Sequence, residues 1–169
     1  MLRRDVNNSD HAVRWPPHYA PGTAPVHVRN TIEVAAPVEA VWASLIRAHH
    51  WPAWYVNASD VTFLRGTAPD LSAGARFTWK TFGVRLESTI LEFIPHERIA
   101  WDARGIGVDA YHAWVLWPIP GGTHVLTEET QHGWLARLSH FVMPGRMHKY
   151  HQIWLEGLGD QAARRLPGT

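Results

Sequence analysis

The alternation of apolar and polar positions already divides the chain into strand-like and helix-like stretches. From Val26 to Val34 the apolar residues Val26, Val28, Ile32 and Val34 share one parity, while His27, Arg29, Thr31 and Glu33 share the other, the period-two signature of a half-buried strand. Similar alternation marks Val61 to Leu64, Arg76 to Lys80, Val84 to Phe93, Arg98 to Arg104, Val108 to Trp117 and Thr123 to Gln131, with Gly- and Pro-bearing turns between them. Seven strands, six of them consecutive and joined by short connections, predict an antiparallel meander.

The period changes to 3.6 in three places. Val38, Val41, Trp42, Leu45 and Ile46 give a buried face to a helix for which Pro37 suits the first position and Glu39 the positive N-terminus. Pro52, within His49 to Tyr55, is expected to break that helix and open a second short one. Trp134 to Val142 reads as helix up to Pro144-Gly145, and a long last helix runs from Gly145 to about Arg165. In it Met147, Tyr150, His151, Trp154, Leu155, Leu158 and Ala162 fall on one face, with Lys149, Gln152, Glu156, Asp160 and Arg164 opposite. A stripe carrying tryptophan, tyrosine and histidine needs a large concave partner, so a curved sheet is expected to grip this helix in an α+β fold.

Ahead of the first strand, residues 1–25 carry Trp15-Pro16-Pro17, Tyr19, Pro21 and Pro25, a pattern that predicts an extended Pro-rich strap with a mobile tip. Trp15 and Tyr19 are expected to pack on the single domain formed by residues 26–166.

Composition narrows the function. The 169 residues suit one domain with a sizeable core, and a net charge of +1 from dispersed basic residues offers no footprint for nucleic acid. Without cysteine there are no disulfides, thiolate metal sites or cysteine nucleophiles. No apolar run is long enough to span a bilayer, and Met1 to Asp10 is too polar for a secretory signal, so a cytoplasmic protein is expected. Ten tryptophans and twelve histidines stand out. Such rings fill cores first, but they also suit the walls of a pocket for flat or greasy ligands.

Several segments, in order, resemble a known family. They are Ile32-Glu33-Val34-Ala35-Ala36-Pro37, Val41-Trp42, Trp51-Pro52-Ala53-Trp54, Ile90-Leu91-Glu92 with Pro95, Arg98-Ile99-Ala100-Trp101, His112-Ala113-Trp114, and Gly122-Thr123 with Glu128-Glu129-Thr130. Over roughly Val26 to Arg165 the chain resembles the polyketide cyclase/dehydrase branch of the START and birch-pollen-allergen-like (SRPBCC) superfamily. The resemblance implies a helix-grip fold: a curved seven-stranded antiparallel sheet, two short helices and a long C-terminal helix closing a hydrophobic cavity. It also implies a ligand such as a lipid, sterol, hormone or polyketide, with cyclisation or dehydration in a few members. Fold alone does not choose among these.

Parity across the last hairpin sets Trp114 against Thr127 and His112 against Glu129, and puts these four on one face with Leu116 and Val125. The resemblance implies that this face looks into the cavity. His112 and Glu129 form the most chemical pair, since a carboxylate can fix an imidazole tautomer and raise its basicity for proton transfer. The competing reading is a structural hydrogen bond between buried polar groups. The expected ligand-binding residues are Phe77, Trp79, Leu86, Ser88, Ile90, Trp101, Trp114 and Thr127 from the sheet. Met147, Tyr150, His151 and Trp154 join them from the long helix.

His148 and His151 stand three apart on a helix but lack a fixed acidic or cysteine companion, so no metal site is expected. Glu128 and Glu129 point to opposite faces of a strand and cannot act as a paired-carboxylate site. No nucleotide-binding or hydrolase motif occurs, so no cofactor is expected. The resulting expectation is a protein that binds a hydrophobic small molecule, lipid, aromatic or polyketide-like. The alternatives are a cyclase or dehydratase using His112 and Glu129, and an interaction module like the chaperone-activating members of the superfamily.

Overall fold

The computed structural model describes residues 10–165; the expected mobile tip, at residues 1–9, lies outside them. Seven strands form one antiparallel sheet: β1 (Val26–Val34), β2 (Ser59–Arg65), β3 (Arg76–Thr81), β4 (Val84–Ile94), β5 (Arg98–Gly105), β6 (Val108–Ile119) and β7 (Gly122–His132). Their spatial order is β1-β7-β6-β5-β4-β3-β2. Five consecutive hairpins make the meander, and β1 adds to its last strand, because the long β1–β2 connection carries helices that fold back over the sheet. A bulge at Leu91, between the pairs Ile90–Trp101 and Glu92–Ala100, adds local twist to β4.

The connecting helices differ in detail from expectation. Helix α1 spans Val38–Leu45, with Pro37 as its N-cap, one step before the expected place. Pro52 does not end α1, which has already stopped at Leu45, but lies inside a 3-10 helix over Ala48–Ala53. There the Trp51 indole donates to Leu45 O at 2.9 Å, tying the two short helices together. Helices α2 (Trp134–Val142) and α3 (Arg146–Ala163) follow the sheet. The α3 stripe turns His151, Trp154, Leu155, Leu158 and Ala162 inward, fully buried, while Met147 and Tyr150 are half-buried near its start. Asn30 of β1 donates to both His148 O and Gln152 Oε1 of α3 at 3.1 Å, fixing the helix against the edge of the sheet.

The other face of the sheet is covered from the N-terminal side. Residues 10–25 run over it through two short 3-10 turns, Pro17–Tyr19 and Pro21–Thr23. Tyr19 is buried with its ring stacked on Tyr111 at 5.3 Å, and its hydroxyl donates to Asp109 at 2.6 Å. Trp15 packs against Tyr111 at 5.7 Å, and Arg98 donates to the carbonyls of Ala12 and Asp10.

Candidate functional site

Side-chain size falls along the inward-facing positions of the central strands. On β5 Trp101 is followed by Ala103, and on β6 Trp114 is followed by His112 and then Ala110. Toward one end the space between sheet and α3 is filled by rings: Trp154 lies 4.5 Å from Tyr55 and 5.1 Å from both Trp51 and Trp114, and Phe77 and Trp79 complete the layer. Toward the other end, where the residues are small, a cavity of about 340 Å³ remains. Its wall is mainly apolar, with Val26, Leu86 and Ala103 from the sheet, Leu135 and Ala136 from α2, and Met147 from α3.

Helix α2 is held over this opening by glycine. Leu135 and Ala136 N–H groups donate to Gly107 O at 3.0 and 3.3 Å, so the β5–β6 turn caps the helix's first turn. A Cβ on Gly107 would lie 2.7 Å from Leu135 Cβ, and one on Gly133 would lie 2.2 Å from Gly107 O. Both residues also have positive φ, 70° and 105°. No other residue type would let α2 approach the sheet so closely.

At the inner end of the cavity three buried polar side chains meet. Glu129 Oε2 lies 3.1 Å from His112 Nδ1 and 3.1 Å from His151 Nε2, and Glu129 Oε1 accepts from Gln131 at 2.6 Å. His112 Nε2 lies 2.7 Å from Thr127 Oγ1, and the two imidazoles stack at 4.7 Å. Burial pushes His112 down to about 3, against the opposing pull of the Glu129 charge, so it is neutral at ordinary pH. Burial alone would raise Glu129, but its contacts with His112, His151 and Gln131 outweigh this and hold it down to about 2. With His112 neutral, the N–H groups around Glu129 carry that stabilisation in the neutral range. The Thr127 hydroxyl bridges His112 Nε2 and the carbonyl of Ala113, to which it donates at 3.2 Å. His112 Nε2 is thereby engaged, while Nδ1 lies beside the Glu129 carboxylate.

His151 differs. Its Nε2–H donates to Glu129, and in the neutral ring Nδ1 is then a bare lone pair with no partner among the described residues. The three groups offer metal-ligand atoms within 4.8 Å of one another. The rings, however, lie face to face with only 14° between their planes. As arranged they cannot direct two in-plane lone pairs at one ion about 2 Å from each. The donor set fits a hydrogen-bonded cluster better than a metal centre.

Of the twelve residues expected at a ligand site, Trp79, Leu86, Trp101, Met147, His151 and Trp154 line the cavity, as do His112 and Glu129. The other six do not. Phe77 and Trp114 are spent in the ring layer, and Ile90 is buried beside Trp101 in that same filled end. The Ser88 hydroxyl accepts from the Trp79 indole at 3.1 Å, and Thr127 is engaged by His112. Tyr150 is half-buried, packed edge to face on Phe82 at 5.3 Å. The whole contribution of α2, together with Gln131 and Arg146, was absent from the expectation. For Gln131 a signal existed, since it shares the parity of Glu129 on the same strand.

A family described as polyketide cyclase/dehydrase and lipid transport matches residues 25–166. The chain belongs to that family. Its fold is that of a hypothetical protein, jhp0584, from Helicobacter pylori, with 29% identity, a TM-score of 0.83 and 89% and 96% of the two chains covered. TTHA0849 from Thermus thermophilus is similar over 82% of this chain and 98% of its own, at 18% identity and a TM-score of 0.69. The Zhui aromatase/cyclase from Streptomyces sp. R1128 shares the fold at 17% identity, with a TM-score of 0.67 and 85% and 96% covered. No curated protein matches. No helix among the described residues is long and apolar enough to cross a membrane.

Proposed function

We propose that the protein binds an apolar small molecule, lipid, aromatic or polyketide-like, in the cavity under α2, and does so in the cytoplasm. The observation that carries this is the cavity itself: about 340 Å³ left open in an interior whose other end is packed with rings. A close-packed core has no reason to leave such a space, and small-molecule sites have this size and this mix of apolar wall and few polar points. Denaturing the purified protein and analysing the released fraction by mass spectrometry tests the proposal. A stoichiometric apolar compound is expected; if none is released and a panel of lipids and flat aromatics fails to bind, the proposal is wrong.

A second reading, a cyclase- or dehydratase-type enzyme, is favoured by one specific observation. Glu129 is a buried carboxylate that touches two imidazoles on the cavity wall. The name of the Zhui aromatase/cyclase is consistent with it. In this reading His112 and Glu129 move the proton, with His151 beside them. Conversion of a bound compound, followed by its change in mass, would separate an enzyme from a carrier.

A further inference from the structure

Nine large apolar side chains are exposed among the described residues, and five of them, Trp134, Leu138, Phe141, Val142 and Met143, fall within ten consecutive residues in and just after α2. Trp134, Leu138 and Phe141 stand four and three residues apart, so they form one stripe along the helix, and Phe141 is 85% exposed. The opposite side of α2 already has its partner, since Ala136 is buried and Leu135 and Ser139 line the cavity. A helix that spends one apolar face on its own domain has no internal use for a second, and clustered exposed apolar surface marks contact with something outside the chain. A sixth exposed residue, Ile106, adjoins Gly107, whose backbone lies against Trp134, and extends the patch onto the β5–β6 turn.

Charge decides what the partner is. Between Glu129, which is buried, and Glu156 the chain has no acidic residue, while Arg137, Arg146 and Lys149 are cationic and Arg137 and Lys149 are exposed. Arg146 lies over the Phe82 ring at 5.0 Å instead of against a carboxylate, and Asp109, on the strand beside His132, is held by Tyr19 and Arg104. A second copy of the chain would bring these cations together, like against like. A bilayer carrying anionic lipid offers both complements, an apolar interior for the rings and negative headgroups for the cations. We propose that α2 docks the protein on an anionic lipid surface, with Trp134, Leu138 and Phe141 inserted among the acyl chains. Arg137, next to that stripe, meets the headgroups, and Arg146 and Lys149 in the first turn of α3 add positive field. The attachment is peripheral, since no helix among the described residues could cross the bilayer. Leu138 and Val142 are exposed and also line the cavity, so the docking face and the cavity wall share residues and an apolar molecule has a short apolar path between them.

Docking goes beyond the ligand-binding reading, and vesicle binding is measured independently of what the cavity holds. The full chain is centrifuged with vesicles of phosphatidylcholine alone and of phosphatidylcholine with phosphatidylglycerol at about 7:3. Cosedimentation with the mixed vesicles, little with the neutral ones, and release in salt of about 0.5 M are expected. Phe141→Ser, at a side chain almost wholly outside the fold, should weaken binding at least about tenfold, the worth of burying one phenylalanine. Arg137→Gln should weaken it about fivefold. Leu64→Ser, which removes an exposed leucine from β2 at the far edge of the sheet, should leave it unchanged. No cosedimentation with the mixed vesicles, equal binding to neutral ones, or binding that Phe141→Ser leaves intact overturns the proposal. So does a dimer in the absence of vesicles that Phe141→Ser dissociates, because the face then belongs to a second copy. Vesicle binding by a protein whose cavity takes no apolar probe supports the docking while refuting the ligand-binding reading, so the two fail separately.

Discussion

The two ends of the interior are built from the same strands and the same helix, yet one is packed and the other hollow. At the packed end Trp51, Trp101, Trp114 and Trp154 are each no more than 1% exposed, and Trp154 meets Trp51 and Trp114 edge to face. At the hollow end the inward positions of those elements carry Ala103, His112 and Met147, and α2 roofs the space they leave. The difference lies in side-chain volume two to seven residues along a common face, with no change of backbone architecture. A sheet that curves around a helix encloses more space than average side chains fill, and the chain spends its tryptophans on one half only. The packed half supplies stability, which frees the hollow half to hold two histidines and a carboxylate.

The sharpest way to break this comparison is to hollow the packed end. Trp154→Ala should cost about 3 to 5 kcal/mol in urea unfolding, the range for large-to-small changes at fully buried aromatics. Met147→Ala, half-buried at the hollow end, should cost clearly less. Equal losses at the two sites would mean that both ends are packed alike.

A second test uses acid. The folded-state value of His112, about 3, lies below its ordinary 6.5, so the neutral ring contributes stability that is fully present above 6.5 and is lost as pH falls toward 3. Glu129, held at about 2 against an ordinary 4.5, adds a further loss below pH 4.5. One proton taken up on unfolding weakens the fold by roughly 2 kcal/mol between pH 7 and pH 5. His112→Gln should remove that part of the pH dependence. Glu129→Gln should lower the His112 value further, because the charge that opposes burial is gone. An NMR titration of the His112 ring that is unchanged in Glu129→Gln would show the pair to be uncoupled.

The smallest expected effect on stability comes from filling the hollow end. Ala103→Leu adds three carbons into open space, so stability should change by less than about 1.5 kcal/mol, while binding of a flat aromatic probe should fall at least tenfold. A large destabilisation with binding intact would place the ligand elsewhere.

Much of this was legible in the pattern of residues. The pairing of His112 with Glu129 followed from parity and a short turn, and it holds with Trp114 opposite Thr127. The inward stripe of α3 likewise followed from its spacing. What escaped were contacts made only when distant elements dock. His151 reaches Glu129 because α3 lies over β7, and nothing local to either residue encodes that distance. The hydrogen bond of His112 runs diagonally to Thr127 rather than straight across to its partner. Helix α2 could be seen as a helix, but its role as roof depends on Gly107 and Gly133, which read as ordinary turn residues. Parity named the inward face correctly and could not say which part of it is filled, because filling is set by the volumes of all facing residues together.

The most direct test of a hollow, ligand-binding interior is a crystal structure of the protein with a flat aromatic probe such as 2-naphthol. Density for the fused rings is expected between Leu86, Leu135 and Met147. Density at another surface, or an interior in which side chains occupy the space between α2 and β5, would contradict it.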